Sequence, residues 1–244
     1  MKVTAVVQAR MGSTRLPGKV LRQVNGKPLL EYQIERMKRS ERINQLVVST
    51  SRRSLDDPII ELCRRLKVDT FRGSEKDVLG RFYETCAYYK ADAVVRLTAD
   101  CPLIDPAVID KIIHYFLKKY PRYMYVSNTR KRSYPRGLDT EVFTYEALKD
   151  AYMNANSPHD LEHVTPFIMK RIGDASIAQV LHDSDESHHR WTVDTLEDFH
   201  FVSKVLERLY PTNPTFTLQD ILEVLRKNPD WQEINRQVKQ KGDP

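Results

Sequence analysis

Groups that bind phosphate are concentrated in one loop near the start of the chain. The loop follows an apolar, strand-like run at residues 3–7 and contains two glycines, Gly12 and Gly18. Its cations and hydroxyl side chains are Arg10, Ser13, Thr14, Arg15 and Lys19. Glycines let a backbone approach a bulky anion, hydroxyls donate hydrogen bonds, and cations oppose the charge. Because open α/β sheets bind ligands at the carboxyl ends of their strands, the loop predicts a phosphate site.

This loop differs from the two best-known phosphate-binding motifs. A Walker A loop has four residues between its glycines and a hydroxyl residue after its lysine. Here five residues separate Gly12 from Gly18, and Val20 follows Lys19. A dinucleotide-binding fingerprint needs a third glycine at the start of a helix, and none stands at that offset. The residues therefore predict a phosphate loop of neither class.

A carboxylate near the middle of the chain is a candidate metal ligand. Asp100 follows the buried-type strand 93–97, and the nearby pair Asp105-Pro106 already accounts for the start of the next helix. A strand-end aspartate is often only a turn residue, but this one faces the crevice of the phosphate loop. Mg²⁺ on phosphate oxygens prefers oxygen ligands. For Asp194 two interpretations stay open: it could be a metal ligand, or it could simply precede the helix cap Thr195.

Two other polar clusters carry weaker signals. Asp183 and Asp185 form the Asp-x-Asp pattern of metal-dependent glycosyltransferases, but they lie in a polar stretch rather than at the end of an apolar strand. His188 and His189 lie in the same polar stretch, among serines. We therefore predict no metal at either cluster.

A sheet is needed to position these residues. Seven strand-like runs occur, at residues 3–7, 46–49, 68–71, 93–97, 124–127, 140–143 and 177–181. Segments with helical periodicity lie between and after them, at residues 29–39, 58–66, 78–89, 106–120, 145–155, 161–172, 196–209 and 218–227. This alternation predicts a three-layer α/β/α fold with a mostly parallel sheet.

The composition predicts one domain, 1–244, in which residues 122–182 form an insertion that holds a second substrate. No window reaches the roughly 20 apolar residues of a membrane helix, so we expect a cytoplasmic protein without a membrane partner. The net charge is +6, but Lys and Arg are mixed with acids, which favours a small polyanion over nucleic acid. The spacing of Cys63, Cys86 and Cys101 favours buried thiols over disulfides or zinc.

Three stretches resemble the cytidylyltransferases that activate acidic sugars, the acylneuraminate and 3-deoxy-manno-octulosonate enzymes. They are the loop 9–19, the strand end 96–105, and the stretch 190–198 with its Val-Asp-Thr-x-Glu-Asp element. Nearly the whole chain is similar to their branch in spore coat polysaccharide biosynthesis. The resemblance implies the nucleotide-diphospho-sugar transferase fold, CTP and an acidic keto sugar as substrates, Mg²⁺ as cofactor, and a homodimer formed through the inserted region.

The resemblance also implies roles for individual residues. Arg15 and Lys19 would hold the triphosphate as catalytic residues, while Asp100 and Asp194 would bind Mg²⁺. The other nucleotide-binding candidates are Ala9, Arg10, Gly12, Ser13, Arg72, Ser74, Asp77, Arg96 and Thr98. The sugar-binding candidates are Asn128, Arg136, Asp139, Glu141, Glu162, His163 and Arg190.

Elementary chemistry supports some of these roles and leaves alternatives for others. The guanidinium fork of Arg136 suits a planar carboxylate. Asp139 and Glu141 lie on one side of an extended chain, where they could share a ligand or be the solvated acids of an edge strand. Ser74 and Asp77 are equally candidates for a helix cap.

These observations lead to one hypothesis and two alternatives. We expect transfer of CMP from CTP to the anomeric hydroxyl of an acidic 2-keto sugar, with pyrophosphate released. A nonulosonic acid for cell-surface or spore-coat polysaccharide is the expected sugar, and an eight-carbon sugar acid is the next choice. The alternatives are a metal-dependent glycosyltransferase that uses Asp183 and Asp185, and a non-catalytic nucleotide- or polysaccharide-binding protein.

Overall fold

In the computed structural model, which describes residues 1–240, nine strands form one seven-stranded sheet and one small hairpin. In chain order they are β1 (Val3–Gln8), β2 (Gln23–Val24), β3 (Lys27–Pro28), β4 (Gln45–Ser51), β5 (Asp69–Gly73), β6 (Ala93–Thr98), β7 (Tyr125–Ser127), β8 (Glu141–Thr144) and β9 (Ile177–Gln179). All seven predicted strands are found in the large sheet.

Nine α-helices flank the sheet within the same described residues. They are α1 (Leu29–Met37), α2 (Asp57–Arg65), α3 (Val78–Tyr88), α4 (Pro106–Lys119), α5 (Tyr145–Asn154), α6 (Pro158–His163), α7 (Thr165–Ile172), α8 (Leu196–Leu209) and α9 (Leu218–Lys227). The predicted three-layer α/β fold with a mostly parallel sheet is confirmed. Across residues 1–240, no helix is both long enough and apolar enough to cross a membrane.

The order of the strands brings the ends of β1 and β6 together. The large sheet has the order β5-β4-β1-β6-β8-β7-β9, and its first four strands are parallel. Strand β8 runs antiparallel to both β6 and β7, and β9 is parallel to β7. Gln8 at the end of β1 lies beside Ser49 of β4 and Thr98 of β6. The loops that follow β1 and β6 therefore leave the sheet side by side.

Two apolar cores hold the sheet between its helices. Every residue of β1 from Val3 to Val7 is buried, as expected for a central parallel strand that is covered on both faces. Val7 packs into a core with residues of α1, α4, α8 and α9, whereas Val6 packs with α3, α5 and α7. The alternation of side chains along β1 thus serves both faces of the sheet.

Local sequence signals set several helix starts. The Asp105 side chain accepts a hydrogen bond from the Ala107 amide at 2.8 Å, and Thr195 and Thr217 each begin a capping box. The pair Asp57-Pro58, like Asp105-Pro106, predicts a helix capped by its aspartate, but Asp57 is the first helical residue of α2. The N-cap of α2 is Asp56, whose side chain bonds elsewhere.

The prediction of one helix over residues 161–172 was also wrong. The structure has two helices, α6 and α7, which meet at Val164 with a φ of 66°. Pro166 has no amide hydrogen and would clash with the preceding turn of a continuous helix, so a new helix begins there. With β7, β8, β9 and α5, these two helices make up most of the segment 122–182.

The β2–β3 hairpin was missed because each of its strands has only two residues. Asn25 and Gly26 form its turn, with φ values of 49° and 75°. An Asn-Gly pair is a strong hairpin signal, so the sequence contained the information.

Candidate active site

The loop after β1 is held in shape by its own backbone and by one buried carboxylate. The amides of Ser13 and Gly18 both donate to the Met11 carbonyl, at 2.9 and 3.0 Å. Gly18 has a φ of 67°, a left-handed conformation that favours glycine. The Met11 amide donates to Asp56 Oδ1 at 2.8 Å. The loop is therefore fixed at both of its turns before any ligand binds.

Asp56 can hold the loop as a buried carboxylate because hydrogen bonds stabilise its ionised form. Burial alone would raise the pKa of Asp56, but hydrogen bonds from the Met11 amide and the Ser51 hydroxyl outweigh it and lower the pKa. The Ser51 hydroxyl donates to Asp56 Oδ2 at 2.5 Å, and the Ser51 amide donates to the same atom at 3.2 Å. Asp56 thus ties the end of β4 to the start of the phosphate loop.

Two aspartates from distant parts of the chain meet at one amine. Lys19 Nζ lies 2.7 Å from Asp100 Oδ2 and 2.9 Å from Asp194 Oδ1. Arg15 reaches the other oxygen of Asp194 at 3.0 Å. These are the four residues for which the sequence predicts catalytic or metal-binding roles, and the structure brings all of them together.

The charges of this cluster support one another. Burial alone would lower the pKa of Lys19, but attraction to Asp100 and Asp194 outweighs it and raises the pKa. In the same way, burial would raise the pKa of Asp100, and Lys19 outweighs it and lowers the pKa. At neutral pH the amine is protonated and the Asp100 carboxylate is ionised.

Backbone contacts explain why the two aspartates converge. The Asp100 carbonyl accepts hydrogen bonds from the Val193 amide at 2.8 Å and from the Thr192 hydroxyl at 3.2 Å. These contacts join the turn after β6 to the segment before α8. The side chain of Arg190 then holds Asp194 at 2.8 Å and the buried Asp198 at 2.9 Å.

A glycine permits the neighbouring backbone to come close. Gly137 has a φ of 105°, and a Cβ at this position would lie 2.7 Å from the carbonyl carbon of Trp191. The adjacent residue, Arg136, forms a β-bridge with Arg190. Glycine is therefore required where the 134–143 stretch meets the segment that carries Asp194.

The carboxylates fit a hard divalent cation such as Mg²⁺. One oxygen of Asp100 and one of Asp194 already point at a common positive charge, the Lys19 amine. The side chains are 22% and 14% exposed, so a cation that arrives with a phosphate could reach them. Carboxylate oxygens are the ligands that Mg²⁺ prefers.

Two connected clefts open above these residues. The phosphate cleft, of about 610 Å³, contains Arg15, Lys19, Asp100 and Asp194. The outer cleft, of about 690 Å³, lies beside the start of α3. Both are lined by Gln8, Arg10, Glu162 and His163. A ligand with two parts could therefore occupy both.

Most predicted site residues line these clefts. In the phosphate cleft, besides the four central residues, are Arg10, Ser13, Thr98, Arg136, Asp139, Glu162 and His163. In the outer cleft are Ala9, Arg10, Ser74, Asp77, Arg96, Glu162 and His163. Asp77 also caps α3 by accepting from the Gly80 amide at 2.7 Å, and Ser74 accepts from the Asp77 amide.

Five predicted residues are not among those that line either cleft: Gly12, Arg72, Asn128, Glu141 and Arg190. Asn128 is fully buried, and its amide bonds the backbone of Leu138 and Thr140. Arg72 bonds the carbonyls of Ser51 and Arg53. The polar atoms of Asn128 and Arg72 are thus occupied by the protein's own backbone, and the ligand-binding roles of these residues stay predictions.

Glu141 and Arg96 form an ion pair across the sheet. They are register partners on β8 and β6, and the Arg96 guanidinium donates to the Glu141 carboxylate. The buried Tyr125 hydroxyl donates to the other Glu141 oxygen at 2.5 Å. Asp139, two residues away, pairs with Arg132 at 2.6 Å. Glu141 and Asp139 both line a smaller cavity of about 230 Å³.

Several residues of the clefts were missed from the sequence. Gln8 and Thr192 line the phosphate cleft. Gln8 directly precedes the loop 9–19 and Thr192 lies within the stretch 190–198, so the sequence could have indicated both residues. His159 reaches the same cleft only because α6 folds over it, and no local pattern indicates this. Asp183 and Asp185 are exposed and are not among the lining residues of either cleft.

The mostly parallel α/β sheet has its ligand site at the carboxyl ends of its strands, where the loop after β1, Asp100 after β6 and Asp194 before α8 meet. This is the fold of a solved cytidylyltransferase, a nucleotidyltransferase. Residues 4–241 match the sequence profile of a family described as cytidylyltransferase. The chain belongs to the cytidylyltransferase family.

Similarity to known proteins extends over nearly the whole chain. The chain is 32% identical over 233 residues to the spore coat polysaccharide biosynthesis protein SpsF of Bacillus subtilis, covering 92% of this chain and 94% of SpsF. A solved cytidylyltransferase from Leptospira borgpetersenii has a TM-score of 0.91 at 32% identity, over 98% of both chains. A 3-deoxy-manno-octulosonate cytidylyltransferase of Geobacter metallireducens is 34% identical over 115 residues, covering 46% of this chain and 44% of that protein. The predicted family resemblance is confirmed.

Proposed function

We propose that this cytidylyltransferase transfers CMP from CTP to the anomeric hydroxyl of an acidic 2-keto sugar, a nonulosonic acid, with Mg²⁺ as cofactor. The observation that carries the proposal is the meeting of Asp100 and Asp194 at Lys19, beside Arg15. The relative from Geobacter metallireducens is named for an octulosonate, itself a keto-sugar acid. That name supports the class of acceptor, and SpsF supports a role in surface polysaccharide.

The reaction joins the sugar to the nucleotide in one displacement. The sugar hydroxyl forms a bond to the α-phosphorus while the bond to the oxygen of the β-phosphate breaks. The hydroxyl proton passes to solvent and pyrophosphate leaves. Arg15 and the protonated Lys19 oppose the charge that develops on the departing pyrophosphate. Catalysis here depends on position and charge, and no covalent nucleophile is needed.

Asp100 and Asp194 would hold Mg²⁺, which when bound would polarise phosphate oxygens and lower the pKa of the attacking hydroxyl. The protein's contribution is to keep both carboxylates in place. Arg190 does this for Asp194 through a contact of 2.8 Å, and the Val193 amide does it for the Asp100 backbone. Arg190 is therefore a positioning residue rather than a sugar ligand.

The two clefts support separate places for the nucleoside and for the sugar acceptor. The outer cleft, with Ser74, Asp77 and Arg81 at the start of α3, would hold the nucleoside. Arg136 and Asp139 line the phosphate cleft but not the outer cleft, and the acceptor would lie beside them. The Arg136 guanidinium suits the carboxylate of a sugar acid.

Assembly and location stay predictions. We expect a homodimer in the cytoplasm, with the 122–182 segment at the dimer interface. Sedimentation equilibrium on the purified chain measures the mass of the assembly, and a monomer at all concentrations would contradict the dimer.

A pyrophosphate assay tests the proposed reaction. The protein is incubated with CTP, Mg²⁺ and a panel of nonulosonic and eight-carbon keto-sugar acids, with neutral hexoses as matched controls. We expect pyrophosphate only with CTP and a keto-sugar acid, and a CMP-sugar as the product. Release of a nucleoside diphosphate from a nucleotide-sugar donor, without pyrophosphate from any acid, would favour a glycosyltransferase instead. Replacing CTP by UTP, GTP or ATP measures the choice of base.

A further inference from the structure

Outside the two clefts, Glu186, His188 and His189 bring three metal-ligating side chains together. One carboxylate oxygen and one ring nitrogen from each histidine all lie within 4.8 Å of one another. All three residues belong to one short turn, in which Glu186 stands two and three positions before the histidines. The His189 amide donates to the Glu186 carbonyl at 3.2 Å, which folds the segment back on itself.

The distance between Glu186 and His189 suits two ligands of one ion. Glu186 Oε2 lies 3.4 Å from His189 Nε2, which is long for a hydrogen bond between a nitrogen and an oxygen. Two ligands at about 2.1 Å from a tetrahedral ion are about 3.4 Å apart. The other oxygen, Oε1, accepts from the Ser184 hydroxyl at 2.9 Å. That contact orients the carboxylate with Oε2 toward the imidazole.

The backbone of this cluster is fixed to the rest of the protein. The Glu186 amide donates to the Ser133 carbonyl at 2.9 Å, and the Arg136 amide donates to the His189 carbonyl at 3.0 Å. His189 is 7% exposed, and the His188 ring packs against it with a centroid distance of 4.0 Å. Since His188 itself is exposed, an ion can reach the cluster from solvent.

We propose that Glu186, His188 and His189 bind a divalent transition-metal ion of the Zn²⁺ type. Two imidazoles and one carboxylate suit Zn²⁺ and its neighbours, whereas Mg²⁺ prefers oxygen ligands only. Three protein ligands leave a coordination position for water or an anion. The site is separate from the proposed Mg²⁺ site, with which it shares no ligand.

A bound ion would stabilise the segment that leads into the active site. His189 is followed directly by Arg190, which holds Asp194. The same segment forms the β-bridge between Arg136 and Arg190. Since all three ligands lie on one turn, Zn²⁺ would rigidify that turn, whose backbone is bonded to Ser133 and Arg136.

Metal binding by the full chain tests this proposal without reference to catalysis. The protein is prepared without a polyhistidine tag, stripped of metal, and titrated with Zn²⁺ by calorimetry. Co²⁺ is used in parallel, because its visible absorption reports the ligand field. The test variants are Glu186→Gln and His188→Ala, in which the buried His189 is kept so that folding is not put at risk. Circular dichroism checks the fold of each variant.

Two further variants serve as controls. His200→Ala removes an exposed histidine on α8, and Asp100→Asn removes a ligand of the proposed Mg²⁺ site. We expect one Zn²⁺ per chain, a Kd that rises more than about 100-fold in each test variant, and no change in the controls. Absence of stoichiometric Zn²⁺ binding, equal affinity in the test variants, or loss in Asp100→Asn would overturn the proposal.

Discussion

Two charged clusters near the end of β6 use similar residues for different purposes. We call the pair Arg96 and Glu141 the closed cluster, and Lys19, Asp100 and Asp194 the open cluster. Arg96 lies within the strand and pairs with its register partner Glu141, so the sheet itself fixes their contact. Asp100 lies beyond the strand and meets Lys19 and Asp194 where three loops converge. The backbone register of β6 and β8 keeps Arg96 and Glu141 opposite each other, and a cross-strand ion pair of this kind stabilises the sheet. Loop residues on a rigid scaffold more often bind ligands.

The largest effect should come from the open cluster. Replacement Asp100→Asn removes one negative charge at the proposed metal site and should lower kcat/KM by about 1,000-fold or more, which is about 4 kcal/mol. Its matched control is Asp183→Asn, in an exposed loop, which should leave turnover unchanged. Initial rates of pyrophosphate release measure both. The reverse pattern would move the metal to the Asp183 loop.

Replacements in the closed cluster should lower the stability of the fold rather than the rate of the reaction. Replacement Glu141→Gln leaves the Arg96 guanidinium without its carboxylate and should cost about 3 kcal/mol of unfolding free energy. Urea denaturation followed by circular dichroism measures the change. The double variant with Arg96→Met should recover part of the loss. Unchanged stability together with a raised KM for the sugar would instead make Glu141 a ligand-binding residue.

Lys19 belongs to the open cluster, and its replacement should mainly affect catalysis. Lys19→Met removes the amine between two carboxylates and the charge that opposes pyrophosphate, and should lower kcat/KM by about 100-fold. Lys19→Arg, which keeps the charge, should retain more activity than Lys19→Met. Steady-state kinetics at saturating Mg²⁺ distinguish the two variants. Equal activity in both would show that charge at this position is unimportant.

The smallest effect should come from Asp56, the buried carboxylate that holds the start of the phosphate loop. Asp56→Asn weakens the hydrogen bonds to Met11 and Ser51 and should cost about 1–2 kcal/mol at pH 7. Because hydrogen bonds lower the pKa of Asp56 in the folded protein, its stabilising effect is present above about pH 4 and is lost as the pH falls further.

Unfolding free energies of wild type and Asp56→Asn between pH 3 and pH 7 test that dependence. The difference between the two proteins should shrink at the acidic end. A difference that is constant across this range would contradict the contribution of an ionised Asp56.

The comparison of the two clusters also explains what the sequence could predict. The phosphate loop and Asp100 follow apolar strands directly, so their place at the sheet edge was predictable from local pattern and parallel topology. The pairing of Arg96 with Glu141 depends on an antiparallel contact between β6 and β8, which periodicity does not indicate. Both residues were therefore predicted as ligand contacts, and the structure joins them to each other.

The turn at Glu186 illustrates a second limit. Glu186 stands two and three positions before the histidines, but these residues form a turn and no helix, so their spacing alone did not indicate that the three side chains converge. The convergence of three loops on Lys19 likewise depends on backbone contacts, such as that from Val193 to Asp100. For Asp194 only the family resemblance supplied the role.

A crystal structure of the protein with CTP and Mn²⁺ is the most direct test of the proposed active site. Mn²⁺ replaces Mg²⁺ and can be located by its anomalous scattering. We predict an anomalous peak in contact with Asp100 and Asp194, the triphosphate on Arg15 and Lys19, and the cytosine beside Ser74 and Asp77. A nucleotide bound elsewhere, or Mn²⁺ found only at Glu186 and the two histidines, would contradict it.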